Sequence, residues 1–226
     1  MDRRGQWYAW VWANAWAELF GLGTTFLLGY AIFTLVGEPQ TPLGVVGFIL
    51  LMTATGVVEG SVVSGFQWRV IRRQFEKIRF NVWWGATLIG ALTAWFLGSL
   101  PSSLMGMNAE ETAGTTVVEL SLGLVLILAC GMGLILGVIL ALPQWFVLRR
   151  HAVRAWSWLP ANSAAWGMGM VLIFLGIDVA QRMQNIMGVL MIMVVTLFVA
   201  GAVVGAIHGL VLVRLERLQD APEQAN

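Results

Sequence analysis

Six stretches of this chain, about 11–36, 43–68, 82–100, 117–146, 156–177 and 187–213, are almost wholly apolar, each with at most one charged residue. A helix rises about 1.5 Å per residue, so roughly 20 apolar residues cross the ~30 Å hydrocarbon core of a bilayer. Lipid offers a backbone no hydrogen bonds, and a helix supplies its own. Barrel strands would be about 10 residues long and would alternate polar with apolar, a pattern absent here. The reading is an all-α integral membrane protein with six transmembrane helices in one domain. Composition agrees: 58% of the 226 residues are hydrophobic and 11% are charged, with a mean hydropathy of +0.80. That is too little charge to coat a soluble domain of this length. The short, charged segment Met1 to Gln6 leaves no room for a cleavable signal peptide ahead of the first span.

Charge placement orients the spans. Of 13 Lys and Arg residues, 12 fall in four places: Arg3 and Arg4; Arg69, Arg72, Arg73, Lys77 and Arg79; Arg149, Arg150 and Arg154; Arg214 and Arg217. With six spans all four lie on one side. The other side carries Glu38, Glu110, Glu111 and Asp178, with Arg182. The positive-inside rule makes the basic side cytoplasmic, with both termini there. Trp7, Trp10, Trp12, Trp68, Trp83, Trp84, Trp145, Trp156 and Trp158 gather at the same ends. An indole has a large apolar body and one N–H, so these are expected as headgroup-level anchors, with Trp95 alone in the outer half. The 69–80 segment mixes basic residues with Val70, Ile71, Phe75, Ile78 and Phe80 and is expected as a short helix lying on the inner surface. The 99–116 connection is expected as a loop.

The chain also repeats. Gly56 and Gly60 precede Gln67-Trp68 and Arg72; at an offset of 77, Gly133 and Gly137 precede Gln144-Trp145 and Arg149. Gly201 and Gly205 then precede Arg217, with Leu212-Val213 in place of the Gln-Trp pair. The unit is a helical hairpin used three times, at about 7–73, 80–150 and 155–217, ahead of a 218–226 tail. Two helices per unit make these parallel repeats, unlike the inverted repeats of many transporters. Glycines at i and i+4 let another backbone approach closely. Three such strips predict that spans 2, 4 and 6 pack centrally around a pseudo-threefold axis.

The run Gln144 to Trp156, with Ala161, Asn162, Ala165, Trp166 and Gly167, resembles a family of uncharacterised bacterial membrane proteins. These carry repeated Gln-Trp-x-x-Leu-Arg segments and are associated with cyanobacteria and Chloroflexi-like bacteria. The resemblance implies the multi-spanning topology. It brings no activity and no site residues.

Charges inside a membrane are costly and mark function or tight pairing. Glu18 in span 1 and Glu59 in span 2 lie at similar depth, roughly 27 and 24 Å from their outer ends at 1.5 Å per residue. They can meet, share a proton, hold a cation, or accept from Asn14 or the Trp16 Nε1. His208 is a candidate axial ligand for a haem or a chlorophyll-type pigment, and a hydrogen-bonded packing residue otherwise. Cys130, in an apolar run, reads as a buried thiol. No phosphate-binding loop, His-Glu-x-x-His or Cys-x-x-Cys occurs, and no metal site is expected. An enzyme is therefore not expected, nor a nucleic-acid or soluble-domain partner. Expected contacts are the lipid bilayer and other membrane subunits, in a bacterial cytoplasmic membrane or an internal photosynthetic one. First in order stands a non-catalytic subunit, scaffold or assembly factor acting through its Gly-xxx-Gly faces. A small proton- or cation-coupled transporter or substrate-binding component using Glu18 and Glu59 comes second, and a pigment- or haem-binding subunit using His208 third.

Overall fold

The structure, a computed structural model, describes residues 2–37, 39, 41–107 and 120–218, with backbone alone for 101–107. It consists of six long helices: α1 (Arg3–Val36), α2 (Pro42–Gln74), α3 (Phe80–Met107), α4 (Leu122–Leu148), α5 (Trp158–Gln181) and α6 (Ile186–Leu212). All six are long and apolar enough to cross a membrane. Polar side chains start four of them. Asp2, Thr41, Ser121 and Asn185 accept from the backbone N–H three residues on, and Pro42 occupies the first turn of α2. These are N-caps, which satisfy donors a helix start otherwise leaves free. Gly37, at φ 72°, ends α1 in a conformation that favours glycine. Glu38, Glu110 and Glu111 lie outside the described residues, as do 108–116 of the expected loop and 219–226 of the tail. The part of that loop from 99 to 107 is helical.

Three expectations about the basic end are corrected. The 69–80 segment is not a surface helix. α2 runs straight on to Gln74, and Val70, Ile71, Phe75 and Ile78 turn inward into the largest apolar cluster. The basic residues take the other face, which is how a mixed sequence can extend a span. Likewise α1 starts at Arg3 instead of near residue 11. At 34 residues it is about 51 Å long, well beyond the hydrocarbon thickness. Nor are all the tryptophans anchors. Trp12 and Trp156 are exposed, whereas Trp10, Trp83 and Trp158 are fully buried in that cluster. Cys130 is half-buried, so the fully buried thiol is also corrected.

The helices form a closed ring. Each packs on its two chain neighbours, and α6 returns to pack on α1. Contacting residues run antiparallel all round: Gly21 meets Glu59, Gly60 meets Leu88, Gly90 meets Leu140, Gly137 meets Asn162, Gly169 meets Val204, and Gly205 meets Asn14. Spans 2, 4 and 6 therefore do not pack on one another, contrary to the central packing expected of them. Their glycines lie against the odd-numbered helix of a neighbouring hairpin. A Cβ on Gly56 or Gly60 would press on Trp95, Ala91 and Leu88 of α3. On Gly133 or Gly137 it would overlap the α5 backbone at Trp166 and Asn162, and on Gly201 or Gly205 it would strike Asn14 and Glu18 of α1. Small residues at these seams are the usual device for close helix approach in lipid, where apolar burial alone gives no drive.

Candidate functional site: an axial chamber with two carboxylates

The ring encloses a small polar chamber, of about 30 Å³, on its axis. That is room for about two water-sized occupants. Every helix contributes to its wall, among them Asn14 and Glu18 of α1, Glu59 and Gln67 of α2, Thr87 of α3, Gln144 of α4, Asn162 of α5 and His208 of α6. None of the described residues lining it is Lys or Arg.

The inward polar groups on the odd helices share one local arrangement. Asn14 Nδ2 donates to the carbonyl of Trp10, Thr87 Oγ1 to that of Trp83, and Asn162 Nδ2 to that of Trp158. In each case an i, i+4 pair puts a buried tryptophan one turn below a polar side chain, on the same helix face. The three indoles, with Leu148 and Leu212, close the basic end of the axis. Trp10 and Trp158 meet edge to face at 6.1 Å between centroids.

A hydrogen-bonded girdle ties the wall together. Trp158 Nε1 donates to Gln144 Oε1 at 3.0 Å, and Gln144 Nε2 donates to Thr87 Oγ1 at 3.0 Å and, more weakly, to Gln67 Oε1 at 3.3 Å. Gln67 Nε2 then donates to Asn14 Oδ1 at 2.9 Å. These bonds join α5, α4, α3, α2 and α1. The Gln-Trp-x-x-x-Arg segments thus divide by face. Gln67 and Gln144 point to the axis. Trp68 and Trp145 point away, with the Arg72 and Arg149 guanidinium groups 4.7 and 5.2 Å from their ring centroids, within cation–π range. Arg217 instead pairs its backbone segment with Ala152 in an isolated antiparallel bridge.

Glu18 and Glu59 face the same chamber and are close enough to interact electrostatically. Their helices approach at Gly21, whose missing side chain would lie 3.4 Å from Glu59 Cα. The donor to Glu59 is Trp95 of α3, whose Nε1 lies 2.5 Å from Glu59 Oε2. Sequence reasoning placed Trp95 in the outer half but missed this role, since 36 residues separate the pair. Trp16 is not a donor here. It is partly exposed and packs on Phe20 and Phe198 outside the ring. Glu18 Oε2 is buried with no hydrogen-bond partner among the described residues, and a buried orphan acceptor costs about 1–3 kcal/mol unless something donates to it. Beyond the carboxylates, toward the acidic end, the axis widens into a partly open apolar cavity of about 390 Å³, with Glu59 on its wall as well.

His208 is buried at the basic end of the chamber. Its Nδ1 accepts from Trp10 Nε1 at 2.8 Å, and its ring lies 5.6 and 5.2 Å from those of Trp10 and Trp158. A neutral imidazole accepting at Nδ1 carries its proton on Nε2, which leaves no lone pair for a metal. That arrangement and the small chamber do not fit a haem or chlorophyll ligand. Among the described residues no group of three or more His, Cys, Asp or Glu is placed to hold a metal ion.

A separate cavity of about 130 Å³ at the basic end is lined by Glu76, Lys77, Arg150, His151 and Arg217. Partial burial, then Lys77 and Arg150, hold the His151 pKa below its ordinary value of 6.5. The folded state therefore takes up this proton later than the unfolded chain as pH falls. The stability linked to His151 is full above about pH 6.5 and declines as the pH drops through the lower folded value. The acid-side fall in thermal midpoint should become shallower in His151→Asn, and an unchanged slope would show that His151 is not its source.

Compared with family models, with curated proteins and with solved structures, the chain matches none.

Proposed function

We propose that this chain is a small, non-catalytic carrier or substrate-binding component of a membrane, holding a cationic substrate or coupling ion at Glu18 and Glu59. One observation carries the reading. Two buried carboxylates face a water-sized chamber with no Lys or Arg among the described lining residues, and one of their oxygens lacks a donor among the described residues. Intramembrane carboxylates placed on an axis in this way suit ion and substrate paths. Three parallel hairpin units about a pseudo-threefold axis account for the shared Trp-to-polar arrangement of α1, α3 and α5. By the charge rule the tryptophan-closed end is cytoplasmic and the chamber is approached from the outer side, in a bacterial cytoplasmic or internal photosynthetic membrane.

Thermal unfolding of the purified protein in chloride salts of sodium, potassium, methylammonium and bulky choline tests the proposal. One of the three smaller cations should raise the midpoint saturably over choline, and Glu59→Gln or Glu18→Gln should abolish the rise. If all four salts act alike on the wild type and both variants, the proposal fails.

A second reading, a subunit of a larger complex, draws on a different surface. The six glycines of the Gly-xxx-Gly strips are engaged within the chain and cannot serve a partner at the same time. An aromatic ridge remains outside the ring, where Trp12, Trp16 and Phe20 are exposed and Trp16 and Trp12 pack on Phe198. In that reading the ridge is a subunit contact, and the protein leaves the membrane in mild detergent as part of a larger assembly.

A further inference from the structure

Resting on the carboxylate reading, we infer that the occupant is an amphiphilic amine, its ammonium group held by Glu59 and Glu18 and its apolar body in the wide cavity beyond them. Glu59 belongs to both spaces. It lines the 30 Å³ polar chamber and the 390 Å³ apolar cavity. The two therefore adjoin, sharing Leu140 and Trp166 as well, and the lining changes character at Glu59.

The chamber suits a small, charged donor. Glu18 Oε2 lacks a donor among the described residues, and the Gln67, Gln144 and Asn14 side-chain oxygens already accept from within the girdle. Two carboxylates with no basic residue beside them repel an anionic head. The size admits an ammonium group and little more. The cavity beyond is lined by side chains such as Phe26, Met52, Leu136, Met170 and Phe174. A volume of this order is typical of sites for compact organic ligands, which are mostly apolar with a few fixed polar groups. Three methionines in that wall, Met52, Met132 and Met170, suit an adaptable fit. Neither space alone specifies an amphiphile. Their junction at Glu59 does.

The test uses the full chain in mild detergent and three probes: 1-adamantylamine, its neutral counterpart 1-adamantanol, and methylamine. Saturable shifts in the unfolding midpoint report binding, at a pH where both amines are charged. Burying the cage should make adamantylamine half-saturate at a concentration about tenfold or more below methylamine. The charge should place it about tenfold or more below adamantanol. Glu59→Gln should erase the preference over the alcohol. Ala94→Phe, which adds bulk to the apolar cavity, should reduce adamantylamine to the level of methylamine and leave methylamine unchanged. Ala94→Phe also decides the matter if Glu59→Gln does not fold.

Equal binding of methylamine and adamantylamine would overturn the inference while leaving the cation site standing. Equal binding of alcohol and amine would overturn it too, by removing the role of charge. No saturable shift with either amine would overturn the inference, and with no shift from any small cation the carboxylate reading falls as well.

Discussion

Gly137→Ala is expected to be among the most damaging single methyl groups that can be added to the described helices. Its Cβ would overlap the carbonyl of Asn162 and the Cα of Ser163 on α5. Helix backbone atoms cannot swing aside as a side-chain tip can, so α4 and α5 must separate along the seam. Overpacking typically costs about 1–3 kcal/mol, and more where the obstacle is rigid. The separation would also move Asn162 and Trp158, and with them the bond to Gln144, so the loss should reach the upper end or beyond. Gly65→Ala is the control, because a Cβ at Gly65 meets nothing within 4 Å. In a helix interior, alanine there should be neutral or gain about 0.5–1 kcal/mol. Measured side by side in one detergent, the Gly137→Ala midpoint should fall while that of Gly65→Ala stays or rises. A Gly137→Ala protein as stable as wild type would show that the α4–α5 seam is looser than described.

Gln144→Leu is expected to cost about 3 kcal/mol or more, counting at least about 1 for each of the three buried partners left unmatched. The Trp158 Nε1–H loses its acceptor, and Thr87 and Gln67 each lose a donor. The weight falls on the orphaned indole, so a second change should recover part of the loss. Trp158→Phe removes the stranded N–H, and the double variant should be less destabilised than the sum of the singles. The coupling energy of that cycle measures the bond directly. Strict additivity would show that Gln144 and Trp158 do not act together. Trp145→Leu, next in sequence, should cost less, since Trp145 is only partly buried, packing on the edge of the apolar cluster and against Arg149 and Phe146.

That difference between adjacent residues marks what sequence could and could not reveal. Six apolar runs, the glycine pairs and two carboxylates at matching depth were legible, since each depends on spacing along a single helix. The neighbour of a glycine strip was not. Gly133 and Gly137 read the same whether they meet α2, α6 or α5, and the assumption that like helices meet led to the wrong packing. The tryptophans failed for a related reason. Trp10 and Trp12 have identical composition and nearly identical depth, yet one is at the axis and the other faces out. A signal was present, because Trp10, Trp83 and Trp158 each precede a polar residue by four positions, while Trp12 is followed at that spacing by Trp16. The Trp95–Glu59 bond joins two helices whose relative rotation spacing does not determine.

Closure of the ring between the first and last helices sets an order for biogenesis. Trp10 and His208 are 198 positions apart, and the seam with α1 is made by Gly201, Gly205 and Gly209 of α6. During insertion Asn14 and Glu18 of α1 are expected to stay on an unsealed face until α6 follows. A nascent chain stalled before α6 is a five-walled trough open to lipid, and the axial chamber comes into existence only when the last span arrives.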